Sequence, residues 1–234
     1  MSEQFDIAVI GAGIAGASVA ANLAKAGQRV VLLEMESQPG YHTTGRSAAV
    51  YSPIYGPQPI RALTRASLAF YENPPEEFAG RPLLSPFAAA FVARDDQLAH
   101  LATMETELAD AKTVVRIDSQ EVSKRLPLLR KGYAAAALWD SGTSEIDVAA
   151  LHQGYLRQFK TAGGILTTGA EVTAMERVAG QWSLQTKQGT WAAQTVINAA
   201  GAWADVLGQM AGAERIGLVP KRRTALMVDA PAGY

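Results

Sequence analysis

Six residues near the amino end, Gly11-Ala12-Gly13-Ile14-Ala15-Gly16, restrict the fold more than any other feature of the chain. They form the pattern G-x-G-x-x-G and follow Phe5 to Ile10, an apolar, β-branched run suited to a strand buried on both faces of a parallel sheet. From Ile14 to Ala26 small and apolar residues recur with a helical period, and Gly27 stands where that helix should stop. Arg29 to Glu34 is a second buried-strand run. Strand, glycine turn, helix and strand therefore fit into about thirty residues, the length of a βαβ unit.

In such a unit Gly11 permits the tight turn, Gly13 lets the backbone approach a pyrophosphate, and Gly16 lets the helix pack close to the strand. The anion rests on unpaired N–H groups at the helix start, around Ile14 and Ala15, at the positive end of the helix dipole. Three glycines in a chain with 21 also suit nothing more than close strand-to-helix packing. Glu34 favours the dinucleotide: with Met35 beside it, it ends the next strand, where a carboxylate accepts both hydroxyls of an adenosine ribose. The same charge opposes the extra phosphate of NADP.

Composition removes several alternatives. The 234 residues are 48% hydrophobic and 18% charged, an ordinary globular balance able to bury a sizeable core. Net charge is −1, so no positive field exists to attract nucleic acid or anionic lipid. Apolar stretches are broken by Gly, Lys or Glu before the roughly 18 residues needed to cross a bilayer, and no leader precedes Phe5, which predicts a cytoplasmic protein without an integral membrane segment. Cysteine is absent, and His42, His100 and His152 have no metal-ligand spacing, so no metal site is expected.

Further along, Ser47 to Ala49 reads as the start of a short helix, 59–71 as an amphipathic helix, 87–93 as a strand and 95–111 as a helix. Asp147 reads as the N-cap of a helix to about Ala162, closed by Gly163 and Gly164. Ile165 to Thr168 resumes strand character, and 171–177, 181–186 and 190–198 alternate as a meander does. A helix follows from Trp203 to Ala211, and 216–229 reads as one more strand. The fold class is α/β: a Rossmann-like dinucleotide-binding domain over 1–85 and 147–212, with 86–146 and 213–234 forming part of a discontinuous α+β substrate domain.

The segments Val9 to Glu34, Gly40 to Ala49, Pro82 to Pro86, Asp147 to Arg157, Val196 to Ala204 and Pro220 to Arg223 together resemble the D-amino-acid oxidase and dehydrogenase superfamily. They resemble most its bacterial FAD-dependent D-amino-acid dehydrogenases. The glycine turn fits many flavin and nicotinamide enzymes; Gly45-Arg46-Ser47-Ala48-Ala49 together with Asn198-Ala199-Ala200-Gly201-Ala202-Trp203 is more specific. The resemblance implies noncovalent FAD contacted by Thr44, Gly45, Arg46, Ser47, Ala48 and Ala49, with Val172 at the adenine and Ala199, Ala200 and Gly201 where the last parallel strand meets the cofactor. A capped surface loop with a solvated arginine is the plainer account of 43–49. His42 is read as a loop residue and not as a covalent flavin attachment.

It further implies oxidation of a D-amino acid to an imino acid, which water converts to a 2-oxo acid and ammonia. Such a reaction needs a cation for the substrate carboxylate. The Lys221-Arg222-Arg223 run supplies candidates, and because adjacent strand residues face opposite sides only one of its two arginines can face a given cavity. Arg223 is the one matching the family position, as a bidentate clamp; both arginines on a surface edge is the alternative. Tyr55 matches a family tyrosine on a loop over the site, or else is a core aromatic, and Ser52 is a further substrate candidate. Val50 and Phe87 to Phe91 offer no partner for a cationic side chain, which points to neutral or apolar D-amino acids.

Family members continue past the position matching Tyr234, so the chain is expected to be a fragment or half of a split polypeptide, with a partner chain or self-association at an exposed sheet edge. Besides D-amino-acid oxidation, two other readings remain: oxidation of another small amine or hydroxy acid on the same fold, or a noncatalytic flavin-binding fragment. The electron acceptor, oxygen or quinone, is not written in these residues.

Overall fold

The structure is a computed structural model and describes residues 4–222, 224 and 229. The chain forms two compact units, one built from residues up to Ala48 and from Val148 onward, the other from Ala49–Asp147.

The first unit opens with strand β1 (Gln4–Ile10), helix α1 (Ile14–Lys25) and strand β2 (Val30–Leu33). β2 is buried throughout: Val30 and Leu32 face one side of the sheet, Val31 and Leu33 the other, as the two-residue strand period requires. On the first side Ala17, Ala20, Ala21 and Ala24 of α1 form a stripe of small side chains that brings the helix close to the sheet. The C-cap region of α1 ends at Gly27, whose φ of +85° suits a residue without Cβ.

The second unit contains β3 (Val50–Tyr51), α2 (Gln58–Ala66), α3 (Leu68–Glu72), β4 (Leu84–Pro86), β5 (Ala89–Ala93), α4 (Leu98–Glu107), β6 (Val114–Asp118), α5 (Ser119–Arg125), β7 (Ala136–Asp140) and β8 (Ser144–Ile146). Two small antiparallel sheets organise it, in the orders β3-β8-β4 and β5-β7-β6. Its cores gather Ile54, Ala93, Leu101, Leu108, Ala136 and Leu138, and Ile117, Val122 and Ala137. The short helix expected at Ser47 to Ala49 does not form. Thr44–Arg46 makes a 3₁₀ turn instead, Ser47 is extended, and Ala49 takes a φ of +56°, outside any right-handed helix.

The chain then returns to the first unit with α6 (Val148–Thr161), β9 (Ile165–Thr167), β10 (Val172–Val178), β11 (Gln181–Thr186), β12 (Gly189–Asn198) and α7 (Ala204–Met210). All six strands join one sheet in the order β10-β11-β12-β1-β2-β9. β12, β1, β2 and β9 run parallel, and β10 to β12 form the antiparallel meander. Leu156 and Phe159 of α6 pack with the α1 stripe, and Phe159 is fully buried against Gly164, where a Cβ would strike its ring. The opposite side is covered by Met175, Leu184 and Leu207.

The units divide the chain differently from the expected domain boundaries. Residues 49–85 sit with the second unit because both β3 and β4 pair with β8. Residues 213–222 group with the first. The strand expected over 216–229 is absent among its described residues, 216–222, 224 and 229. No helix among the described residues is long and apolar enough to cross a membrane.

Candidate functional site

β1 is followed to one side by β2 and β9, while β12 lies on its other side, so the strand order reverses at β1. In open α/β sheets ligands bind at such a point, beyond the carboxyl ends of the strands. A cavity of about 840 Å³ lies there, walled by Ile10 and Gly11 after β1, Leu33 and Glu34 after β2, and Ala199 to Trp203 after β12.

The glycines of the first turn have distinct physical roles. Gly11 has a φ of +99°, and a Cβ on it would stand 2.6 Å from the Ala199 carbonyl oxygen. A Cβ on Gly16 would run into the Gly11 carbonyl. Gly13 has an ordinary extended backbone and leaves its space to Thr44, whose Oγ1 would be 3.1 Å from an added Cβ. That hydroxyl accepts the Ile14 N–H at 2.9 Å, replacing the side-chain cap that Gly13 cannot provide. Gly13, Ile14 and Ala15 all face the cavity, so the start of α1 presents backbone donors and positive dipole to it.

Glu34 is buried on the cavity wall, 7% exposed. Its Oε2 accepts the Ala12 N–H at 2.8 Å and its Oε1 the Glu36 N–H at 3.0 Å. A carboxylate has roughly four acceptor positions, so after these two bonds it retains capacity for a pair of hydroxyls. Its backbone is fixed as well, donating to Thr167 and accepting from Ala170.

The 40–46 loop forms another wall. Gly45 N–H donates to the Gly40 carbonyl at 2.7 Å, and Tyr41, His42, Thr43 and Thr44 line the cavity. His42 lies edge-on to Tyr41 and 4.7 Å from the Trp203 ring, with Nε2 2.8 Å from Glu36 Oε1. Arg46 stacks its guanidinium 4.5 Å over the Tyr41 ring and is not on the cavity wall. The remaining wall comprises Ala170 to Thr173, with Val172 buried, Val206, Leu207 and Met210 of α7, and Leu218, Pro220 and Lys221.

The 216–221 segment is latched by Asp205, a buried residue of α7. Asp205 Oδ1 accepts the Ile216 N–H at 3.1 Å and Oδ2 the Leu218 N–H at 2.8 Å, while Gly217 between them turns at a φ of +78°. Replacing Asp205 by Ala removes two bonds to a charged acceptor, each worth about 1.5–3 kcal/mol. Tryptic cleavage after Lys221 and Arg222 should accelerate by at least about tenfold as local opening becomes easier. Cleavage at the wild-type rate would show that the latch does not hold the segment.

Of the residues singled out from sequence, Gly11, Gly13, Ile14, Ala15, Glu34, Met35, Thr44, Val172, Ala199, Ala200 and Gly201 come together around this cavity. Gly16 and Gly45 lie behind it, packed on the Gly11 and Gly40 carbonyls, and Arg46, Ser47, Ala48 and Ala49 are not on its wall. Ser52 and Tyr55 belong to the Ala49–Asp147 unit, where Ser52 is half-buried and Tyr55 is 63% exposed, not a core aromatic. Tyr51 nearby is buried, and burial together with the Glu72 charge raises its phenol above the usual range. Arg222 is exposed and Lys221 is the cation that reaches the cavity; Arg223 lies outside the described residues. Sequence reasoning missed Asp205, gave Trp203 no role beyond its motif, and read His42 only as a loop residue.

Residues 6–234 match the family model described as FAD dependent oxidoreductase, or DAO. The chain belongs to this family. It is 28% identical over 218 residues to human mitochondrial dimethylglycine dehydrogenase, a match covering 91% of this chain and 25% of that protein. It is 27% identical to the glycine oxidase of Geobacillus kaustophilus over 99% of this chain and 63% of the oxidase. The crystal structure of glycine oxidase from Geobacillus kaustophilus superposes with a TM-score of 0.79 at 24% identity, covering 90% of this chain and 59% of that one. The chain thus spans between a quarter and just under two thirds of the length of these relatives. The chain has the mixed α/β fold of this FAD-dependent family, and backbone donors, a hydroxyl and a buried acid around one large cavity suit such a dinucleotide.

Proposed function

We propose that this DAO-family chain binds FAD noncovalently in the cavity at the sheet switch point and serves oxidation of a small amine, a D-amino acid with a neutral or apolar side chain. The observation that carries the cofactor part is Glu34, buried at the cavity with both oxygens oriented by backbone N–H groups. Glu34 holds the adenosine ribose hydroxyls. The Gly13 to Ala15 backbone and Thr44 would hold the pyrophosphate, Val172 the adenine, and Ala199 to Gly201 would contact the cofactor after the last parallel strand. Ser47, Ala48 and Ala49, which are off the cavity wall, would be flavin contacts by the family resemblance alone.

Bound FAD supplies a two-electron acceptor for the substrate Cα hydrogen. Arg223 pairs with the substrate carboxylate, Arg222 being the alternative cation, while Tyr55 and Ser52 position the amine. The amino acid would give its Cα hydride to the flavin and its nitrogen proton to solvent, and water would then convert the imino acid to a 2-oxo acid and ammonia. Relatives named for glycine, dimethylglycine and glycerol 3-phosphate support a second reading, another small amine or hydroxy acid. A third is a flavin-binding segment that turns over only when paired with the remaining length of its relatives.

The test is anaerobic titration of purified, FAD-loaded protein with D-alanine, D-proline and D-phenylalanine, followed by glycine, sarcosine, dimethylglycine and glycerol 3-phosphate. Bleaching of the flavin band near about 450 nm by D-amino acids is the expected result. Bleaching by the others alone supports the second reading, and a yellow protein that none of them bleaches supports the third. Protein that takes up no FAD overturns the proposal.

A further inference from the structure

We propose that His152 is a positioning residue for the dinucleotide site, a role that rests on the FAD reading above. His152 lies in α6, on a segment far along the chain from the glycine turn, and is 4% exposed. Its Nε2 is 2.8 Å from the Ala12 carbonyl oxygen. A carbonyl only accepts, so this nitrogen carries the proton and donates.

The same residue, Ala12, donates its N–H to Glu34 Oε2 at 2.8 Å. The central peptide units of the glycine turn are therefore held from both sides, by the acid that closes β2 and by the imidazole of α6. The ring has a second contact. A Cβ on Gly40 would come within 2.9 Å of His152 Cε1 and 3.1 Å of Nδ1, so the absence of a side chain at Gly40 is what admits the ring.

Gly40 in turn accepts the Gly45 N–H, and the Thr44 hydroxyl beside it accepts the Ile14 N–H at the helix tip. One buried ring thus touches both walls between which a pyrophosphate would lie: the turn that offers N–H groups and the loop that offers Thr44. A leucine of similar bulk fills the space and donates nothing. The Ala12 carbonyl then loses its tether, and the turn can rotate its N–H groups away from the anion. Glutamine reaches a similar distance with an amide N–H; asparagine is too short.

The experiment is fluorescence titration of the apoprotein with FAD for wild type, His152→Leu, His152→Asn and His152→Gln, with thermal unfolding of each apoprotein recorded alongside. FAD dissociation constants should rise about tenfold or more for Leu and Asn, the scale of one lost buried hydrogen bond. Gln should return to within about threefold of wild type. A residue that only fills the core gives no recovery with Gln, and equal weakening by Leu and Gln overturns the proposal, as does wild-type affinity in Leu or Asn. If Leu fails to fold, the contrast between Asn and Gln decides. Failure of wild type to bind FAD sinks the cofactor reading and this role with it, whereas normal wild-type binding with silent variants sinks this role alone.

Discussion

Substituting Gly16 by Ala is expected to lower the melting temperature and sharply reduce FAD retention, although alanine is the better helix former. Intrinsic propensity favours Ala over Gly in a helix by about 1 kcal/mol. Against that, the new Cβ meets the Gly11 carbonyl, which is backbone and cannot swing aside, with Ala199 Cβ 3.3 Å away on the other flank. Forcing an atom into such a contact costs about 1–3 kcal/mol or more, through backbone displacement at the turn that presents the N–H donors. Steric overlap wins: with backbone as the obstacle the cost lies at the upper end, about 3 kcal/mol, and the net loss of about 2 kcal/mol corresponds to roughly 4–8 °C for a chain of this size. Gly208 is the internal control: it too lies within a helix, α7, yet nothing stands within 4 Å of its missing Cβ and its φ is not positive. Gly208→Ala should be neutral or stabilising by up to about 1 kcal/mol. Thermal melts with flavin fluorescence measure both variants, and a Gly16→Ala protein that melts at or above wild type would show that the turn yields without cost.

Changing Glu34 to Ala should act on the cofactor according to whether it contains adenosine. The substitution leaves the buried Ala12 N–H without its acceptor, a penalty of about 1–3 kcal/mol to stability. It also removes the charged acceptor for ribose hydroxyls, which predicts FAD binding weaker by roughly 10- to 100-fold. FMN has no adenosine ribose, and its affinity should fall by less than about threefold, since only the shift in the turn reaches it. Isothermal titration of apoprotein with FAD and with FMN gives the two ratios. Equal losses for both would mean that Glu34 only braces the turn.

What the chain's order of residues disclosed, and what it withheld, follows from the range of the forces involved. The opening βαβ was legible because each constraint is local: apolar runs at Phe5–Ile10 and Val30–Leu33, a small-residue helix stripe, and glycines at fixed offsets. The meander and the helix after Asp147 were legible for the same reason. The 114–146 region was not assigned, although Asp118 caps α5 by accepting the Glu121 N–H at 2.8 Å, with Lys124 and Arg125 in its last turn. Its strands are short: β6 pairs with β7, β7 also with β5, and β8 with β3 and β4, so their identity depends on partners rather than on period. Ser47 to Ala49 misled because its composition suits a helix while Ala49 occupies a left-handed conformation.

Within the site, residues joined to a motif by spacing were foreseen: Gly11, Gly13, Glu34 and Thr44 all reach the cavity. His152 and Asp205 were not, because each acts through a hydrogen bond to backbone whose partner no side-chain pattern reveals. Arg46 drew attention as an FAD contact, and the structure lays its guanidinium over the Tyr41 ring, a partner that no charge pattern reveals.

The central position of β1 carries a consequence for biosynthesis. Ile7 is paired on one side with Val30, which emerges from the ribosome soon after it, and on the other with Thr195, which emerges only after the whole Ala49–Asp147 unit. Gly11 is likewise seated beneath Ala199. A nascent chain that has finished its glycine signature therefore has no completed pocket and must keep half of a sheet unpaired while the whole Ala49–Asp147 unit is made. Such distant closure is slow, and during that interval the exposed strand is the surface most in need of a chaperone.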